Sequence, residues 1–405
     1  MSETGPEPGN AALLEQFQSV LVGNYAPAPI ALVRGEGCRL FDADGRSYLD
    51  LMGGIATASL GHCHPKIVAA LEAQAKRLWH VSNLFVTEPQ TTLAAKIIQN
   101  SFAERVYFSN SGAEANEAAL KLARRYYHDR GQDRFEIIAF DGAFHGRTLF
   151  TVTATGTPAY HEGFGPLVPG IHHVPYGDLD AVKSKLSERT AAILIEPIQG
   201  EGGVRPAPKQ FLEDLRRAAD ENGCLLIFDE VQSGMGRTGR LFAYEHTGVE
   251  PDVMTLAKAL GNGIPIGAMC TRAELAESLV PGTHASTFGG NPLACACAGA
   301  VFDVLLDDGV LDHGREMGVH LAARLEGIAE KAGEGVVRES RGLGLLRGLE
   351  LAPEVSANDV RAACLERGVL VITAAGNTLR IAPPLVITEA ELEEGLAVLE
   401  AVLCS

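Results

Sequence analysis

The 405-residue chain has no block of lysines and arginines; 34 basic residues stand against 51 acidic ones, a net charge of −17 at pH 7. Nucleic-acid binders carry a clustered basic footprint, and anionic membrane surfaces attract the same kind of cluster, so both partner classes are disfavoured. No apolar run is long enough to span a bilayer. The first ten residues are acidic and rich in Gly and Pro, so no secretory signal is expected. Several of the eight cysteines (Cys38, Cys63, Cys224, Cys270, Cys295, Cys297, Cys364 and Cys404) lie in apolar runs, where free buried thiols are common. These features predict a reducing, cytoplasmic setting. No metal site is expected: His62-Cys63-His64 lacks a second pair at zinc-site spacing, and Cys295 and Cys297 point apart on a helix. Neither an internal repeat nor a low-complexity linker occurs.

What is present is a composition of 46% hydrophobic and 21% charged residues, normal for a globular protein and enough for two or three lobes. Residues 1–10 read as a disordered tail. Residues 11–60 read as a short helix followed by strands, with a turn at Asp42-Ala43-Asp44-Gly45, and are expected to join a smaller lobe. Over 61–305, short apolar strands alternate with helical stretches: Val106–Phe108, Ile137–Phe140, Ala192–Ile195, Cys224–Phe228, Val253–Leu256 and Ala268–Cys270. That alternation predicts an α/β domain with a largely parallel sheet covered on both faces. Residues 306–405 read as a smaller α+β lobe, with helix starts at Ser356-Ala357-Asn358-Asp359 and Thr388-Glu389-Ala390-Glu391.

Two stretches carry most of the chemistry. Asp229-Glu230-Val231-Gln232 closes the apolar run Cys224–Phe228, and Lys258 closes Val253–Ala257. A strand ending in a carboxylate and a strand ending in an amine are what a pyridoxal phosphate enzyme requires. The amine makes a Schiff base, and the acid keeps the pyridine nitrogen protonated so that the ring accepts electrons. Lys258 must lose its proton to attack an aldehyde, which burial promotes. Alone, such an aspartate is commonly a helix cap and such a lysine a surface residue; together they point to a site.

Other motifs sit where further strands end. Ser109-Asn110-Ser111-Gly112-Ala113-Glu114 opens a helix, and the exposed amides of that turn suit a phosphate. Phe144 offers a ring to stack on a flat cofactor, and Arg147 a guanidinium for a carboxylate. Glu196 to Gly203 brings two acids to the carboxyl edge of the sheet, where open α/β folds bind ligands; Glu201, in a flexible glycine context, is expected to swing toward a cation. Ser286-Thr287-Phe288-Gly289-Gly290-Asn291 supplies hydroxyls. Arg380 lies in an otherwise apolar segment and needs an acidic partner.

These motifs in this order, over about residues 20–400, resemble the class III (ornithine/GABA-type) aminotransferases of the type I pyridoxal phosphate fold. Gly53-Gly54-Ile55-Ala56, Leu60–Pro65 and Ser82–Phe85 add to the likeness. The resemblance implies a large domain with a mostly parallel seven-stranded sheet and a smaller α+β domain, paired in a homodimer with shared active sites. It implies that Lys258 holds the cofactor, that Gly112 and Ala113 cup its phosphate, and that Thr287 reaches the phosphate of the neighbouring subunit. By the same resemblance Phe144 stacks on the ring, and Asp229, Glu230, Val231 and Gln232 line it, Asp229 at its nitrogen and Gln232 at its oxygen. Arg147 takes a substrate carboxylate, Ser286 contacts substrate from the partner chain, and Glu201 with Arg380 forms a switch pair. Members acting on free ornithine carry a Tyr where this chain has Ile55, which favours an N-acylated donor, N2-acetylornithine, with 2-oxoglutarate as acceptor. Succinylornithine, GABA and N-succinyl-diaminopimelate remain alternative donors. An aminomutase or racemase, or a non-catalytic binding module, is the more distant reading.

Overall fold

The computed structural model describes residues 8–405. The first seven residues of the expected tail lie outside the described residues, and its end is shorter than expected, because a helix already starts at Asn10. Asn10 is tied in place: its side chain accepts from the Ala31 amide at 2.9 Å and donates to Asp42 at 3.0 Å.

Seven strands form the central sheet, in the order Arg105–Ser109, Gly267–Thr271, Val253–Leu256, Leu225–Asp229, Thr190–Ile195, Glu136–Phe140 and Ile171–Val174. All pair in parallel except Gly267–Thr271, which runs antiparallel to both neighbours. The inner strands are buried on both faces, which is why they read as unbroken apolar runs rather than alternating ones. The edge strand Ile171–Val174 was not among the six expected, because His172 and His173 interrupt its apolar character. Helix Gly112–His128 lies on the sheet through a face of small residues, Ala115, Ala118, Ala119 and Ala123, all fully buried. Helix Lys209–Asn222 covers another strand and ends at Gly223, whose φ of 60° gives the left-handed stop that glycine tolerates.

The strand directions put the ends at Ser109, Phe140, Ile195, Asp229 and Leu256 on one edge, with Gly267 opposite Ser109 and Thr255 opposite Asp229. The turns leaving those ends build the site.

C-terminal to this sheet, an antiparallel sheet has the order Val337–Leu343, Leu346–Leu351, Thr378–Ile381, Ile372–Ala374. The expected helix starts are present. Ser356 accepts from the Asp359 amide, and Thr388 forms a reciprocal capping box with Glu391. Strands Leu32–Glu36, Arg39–Asp42 and Ser47–Asp50 form a further sheet with Val369–Leu370, Leu49 pairing with Val369 in parallel. Strands from the N-terminal segment thus share one sheet with Val369–Leu370. Among the described residues no helix is long and apolar enough to cross a membrane.

Candidate active site

A cavity of about 390 Å3 opens at the carboxyl edge of the central sheet. Lys258 lines it, just past Val253–Leu256, in a left-handed backbone conformation with φ of 45° that non-glycine residues seldom adopt. Residues Gly261 and Asn262 hold this bend. A Cβ on Gly261 would sit 2.0 Å from the Ile264 carbonyl oxygen, and Asn262 bridges the Leu60 amide and the Gly61 carbonyl at 2.7 and 3.1 Å. Burial pushes the Lys258 amine down to about 8 from its ordinary 10.5; Arg380 pushes the same way, and Glu201, Glu196 and Asp229 oppose it.

Asp229 faces the same cavity, nearly fully buried. Its Oδ2 accepts from Asn116 Nδ2 at 2.7 Å and pairs with His145 Nδ1 at 2.8 Å, and its Oδ1 accepts from the Val231 amide at 3.0 Å. Asn116 is oriented in turn by Thr255, whose hydroxyl donates to its Oδ1 at 2.7 Å. The carboxylate is therefore locked by three direct partners and, through Asn116, by Thr255, while His145 Nε2 is buried with no partner among the described residues.

Gly112 and Ala113 line the cavity at the start of their helix. Ser111 caps that helix by accepting from the Glu114 amide, and the first amides of a helix have no partner within it, so those of Gly112 and Ala113 are available to an anion. A side chain at Gly112 would meet Val231 at 2.7 Å, so glycine is required for this close approach. Phe144 is half-buried on the wall, with its amide donating to Glu196 at 2.9 Å and its ring edge-on to Tyr160. Burial raises the Glu196 carboxyl. Arg147 is exposed at the cavity, its guanidinium 3.6 Å above the Tyr160 ring.

Arg380, on Thr378–Ile381, is fully buried and finds its acid: its Nη1 donates to Glu201 Oε1 at 2.5 Å and to Gln232 Oε1 at 2.9 Å. Its Nε and Nη2 have no partner among the described residues. Gln232 lines the cavity and so links this pair to the Lys258 side. The expectation of a flexible glycine turn around Glu201 is corrected. Side chains at Gly200, Gly202 and Gly203 would meet Gln232, Gln199 and the Ala375 carbonyl at 2.3, 2.5 and 2.9 Å, so these glycines serve close packing, while the Glu201 side chain stays 30% exposed.

Three expected site residues lie elsewhere. Glu230 faces away from the cavity: its buried carboxylate accepts from the Ala243 and Tyr244 amides at 2.6 and 2.8 Å and holds the Ala243–His246 turn, because successive side chains on a strand point to opposite faces. Burial pushes its pKa up to about 7. The Glu230 side chain is therefore not part of the cavity wall. Ser286 and Thr287 line a neighbouring cavity of about 490 Å3 with Tyr107, Glu114 and His284, outside the Lys258 cavity within one chain. Ser286 Oγ accepts from Asn110 Nδ2 and from the Gly289 amide, each at 3.0 Å.

Asn116, Thr255 and Tyr160 went unread in the sequence. Asn116 carries a weak signal as a polar residue within the small-residue face of its helix, whereas Tyr160 is separated from Arg147 by a whole helical segment and gives none.

The residues present fit pyridoxal phosphate. The cavity has an amide-lined end, a locked acid at one side, an aromatic wall, an enclosed amine, and an orphaned polar atom on His145. The aminotransferase class III family profile matches residues 21–403. The chain belongs to that family, and is a pyridoxal phosphate-dependent aminotransferase. It is 53% identical to the acetylornithine aminotransferase of Myxococcus xanthus, over 94% of this chain and 95% of that one. It is 52% identical to the succinylornithine transaminase/acetylornithine aminotransferase of Pseudomonas aeruginosa, over 94% of each. Among solved structures it superposes on the ornithine aminotransferase of Toxoplasma gondii with a TM-score of 0.94 at 34% identity, covering 98% of this chain and 95% of that one.

Proposed function

We propose that this enzyme transfers the δ-amino group of N2-acetyl-L-ornithine to 2-oxoglutarate, giving N-acetyl-L-glutamate 5-semialdehyde and L-glutamate. One observation carries the reading: an enclosed amine at about 8 shares a cavity with a locked carboxylate, and the exposed guanidinium of Arg147 stands on the wall of that cavity. Support for an N-acylated donor comes from the relatives at about half identity and from Ile55, which offers no hydroxyl to a free α-amine. Bound pyridoxal phosphate supplies an aldehyde for the amino group and a ring that draws electrons from the reacting carbon. Asp229 would hold the ring nitrogen, Gln232 the ring oxygen, Phe144 and Val231 the faces, and Gly112 and Ala113 the phosphate. Lys258, once neutral, takes the proton from Cδ of the donor.

Arg147 anchors the distant carboxylate of the ω-amine substrate. While Glu201 is paired with Arg380, the site prefers that substrate; when Glu201 turns away, Arg380 is free to grip the α-carboxylate of 2-oxoglutarate. Loss of that desolvated charged contact costs about 2–5 kcal/mol. Arg380→Ala should therefore slow the glutamate half-reaction far more than the acetylornithine one, and equal losses in single-turnover measurements reject the switch.

The enzyme works as a homodimer in this reading, with Thr287 and Ser286 serving the partner's cavity. Trp79, Leu84, Phe85, Val86 and Phe288 are all more than half exposed in the segments beside those hydroxyls, where Asn83 Nδ2 bonds the Ser286 and Gly289 carbonyls; such a concentration of exposed apolar side chains marks an interface. Residues 61–305 form the cofactor-binding domain and 306–405 with 11–60 the smaller one. The free thiols accord with a cytoplasmic setting.

A panel of amino donors with coupled glutamate detection tests the assignment. Acetylornithine should lead, with free ornithine and GABA far behind. Equal use of GABA overturns the substrate, and product formation without 2-oxoglutarate replaces the aminotransfer by an aminomutase reaction.

A further inference from the structure

The turn that carries Glu201 is clamped from outside the cavity by one arginine. Arg341, on Val337–Leu343, donates through Nε to the Gly203 carbonyl at 2.8 Å and through Nη2 to Thr378 Oγ1 at 3.0 Å. Thr378 lies two residues before Arg380 on the same strand. One planar guanidinium therefore spans the turn bearing the acid and the strand bearing its cation. Its Nη1 is held between Glu339 and Glu350, each at 2.6 Å, so its charge is balanced there and does not compete with Arg380 for Glu201.

The rest of the turn needs such a clamp. Glu201 O accepts from the Ala375 amide at 2.9 Å, a second tie to the C-terminal lobe. Val204, which closes the turn, is fully buried and β-branched, yet has a φ of 52°. That conformation is strained for such a residue and persists only where its surroundings over-determine it.

We propose that Arg341 is a positioning residue for substrate exchange: it fixes the backbone of residues 200–204 so that Glu201 moves only as a side chain against Arg380, and thereby sets which class of substrate the site prefers. The proposal rests on the Glu201–Arg380 reading given above. Without the clamp the turn relaxes, Glu201 no longer seats on Arg380, and α-carboxylates gain at the expense of ω-amines.

The test uses the holoenzyme and the variants Arg341→Met, Arg341→Lys, Glu201→Gln and the double variant Glu201→Gln/Arg341→Met. The ratio of acetylornithine to glutamate half-reaction rates should fall about tenfold in Arg341→Met, the size expected for losing a charged hydrogen bond. Arg341→Lys keeps the cation between Glu339 and Glu350 and loses the fork, so it folds and shows part of the shift. The double variant should match Glu201→Gln, because Arg341 acts through Glu201. Amide exchange read by mass spectrometry, with or without cofactor, should speed up at Ala375 and residues 202–204 and stay unchanged in the central strands. Equal slowing of both half-reactions, multiplied effects in the double variant, or unchanged exchange overturns the proposal. If Glu201→Gln shifts the ratio and neither Arg341 variant does, Arg341 alone is excluded; if Glu201→Gln leaves the ratio unchanged, the switch falls and Arg341 with it.

Discussion

At the scale of single residues, the site is governed by how burial and neighbours set proton affinity. The amine of Lys258 stands at about 8 because enclosure penalises the ammonium more than Glu201, Glu196 and Asp229 restore it. Capture of pyridoxal phosphate by the apoenzyme, followed by absorbance, should accelerate with rising pH through a midpoint near 8, far below the 10.5 of an ordinary lysine. Glu201→Gln removes a charge that favours the ammonium, so it should move that midpoint down. A flat rate across this range contradicts the enclosure of the amine. Borohydride reduction of the holoenzyme should fix the label on Lys258 and nowhere else. Arg147 has its own dependency: it rests on the Tyr160 face at 3.6 Å. A cation–π contact of about 1 kcal/mol makes Tyr160→Leu raise the donor KM about fivefold, while Tyr160→Phe keeps it. Phenylalanine proving as damaging as leucine removes the ring from the explanation.

Short elements show why neighbouring residues in one motif do different work. Asp229 and Glu230 are adjacent at a strand end, and alternation sends one into the cavity and the other to the Ala243–His246 turn. Glu230 ionises at about 7 in the folded chain against an ordinary 4.5. A carboxyl raised in this way contributes stability that is fully present below its unfolded pKa and is lost as pH rises through the folded value. Glu230→Gln cannot ionise and escapes that loss, although it satisfies only one of the two amides. Its deficit in thermal unfolding should be largest near pH 5 and shrink by up to about 3 kcal/mol toward pH 8. A deficit independent of pH means that Glu230 is already charged in the acid range.

For the whole molecule, the decisive question is whether one chain completes its own site. Thr287 and Ser286 sit beside exposed apolar side chains and outside the Lys258 cavity of their own chain. Mixed dimers of Lys258→Ala and Thr287→Val subunits separate the possibilities. If Thr287 serves the partner, the site with an intact Lys258 receives an intact Thr287 from the Lys258→Ala subunit, and activity returns on mixing. If Thr287 acts within its own chain, every site in the mixed dimer is defective and no activity returns.

The sequence by itself determined the sheet strands that are buried on both faces, since such strands must be unbroken apolar runs, and it placed Asp229 and Lys258 at strand ends by the polar residue that stops each run. It also marked the helix starts at Ser356 and Thr388, because capping is a local interaction. The edge strand Ile171–Val174 was hidden, because an edge tolerates polar residues and loses its signature. Only the tertiary structure decided which side Glu230 faces, that Gln232 shares Arg380 with Glu201 across 148 positions of sequence, and that Asn116, Thr255 and His145 lock Asp229. Those contacts join separate turns at one sheet edge, and no local pattern encodes a distance between segments that only folding brings together.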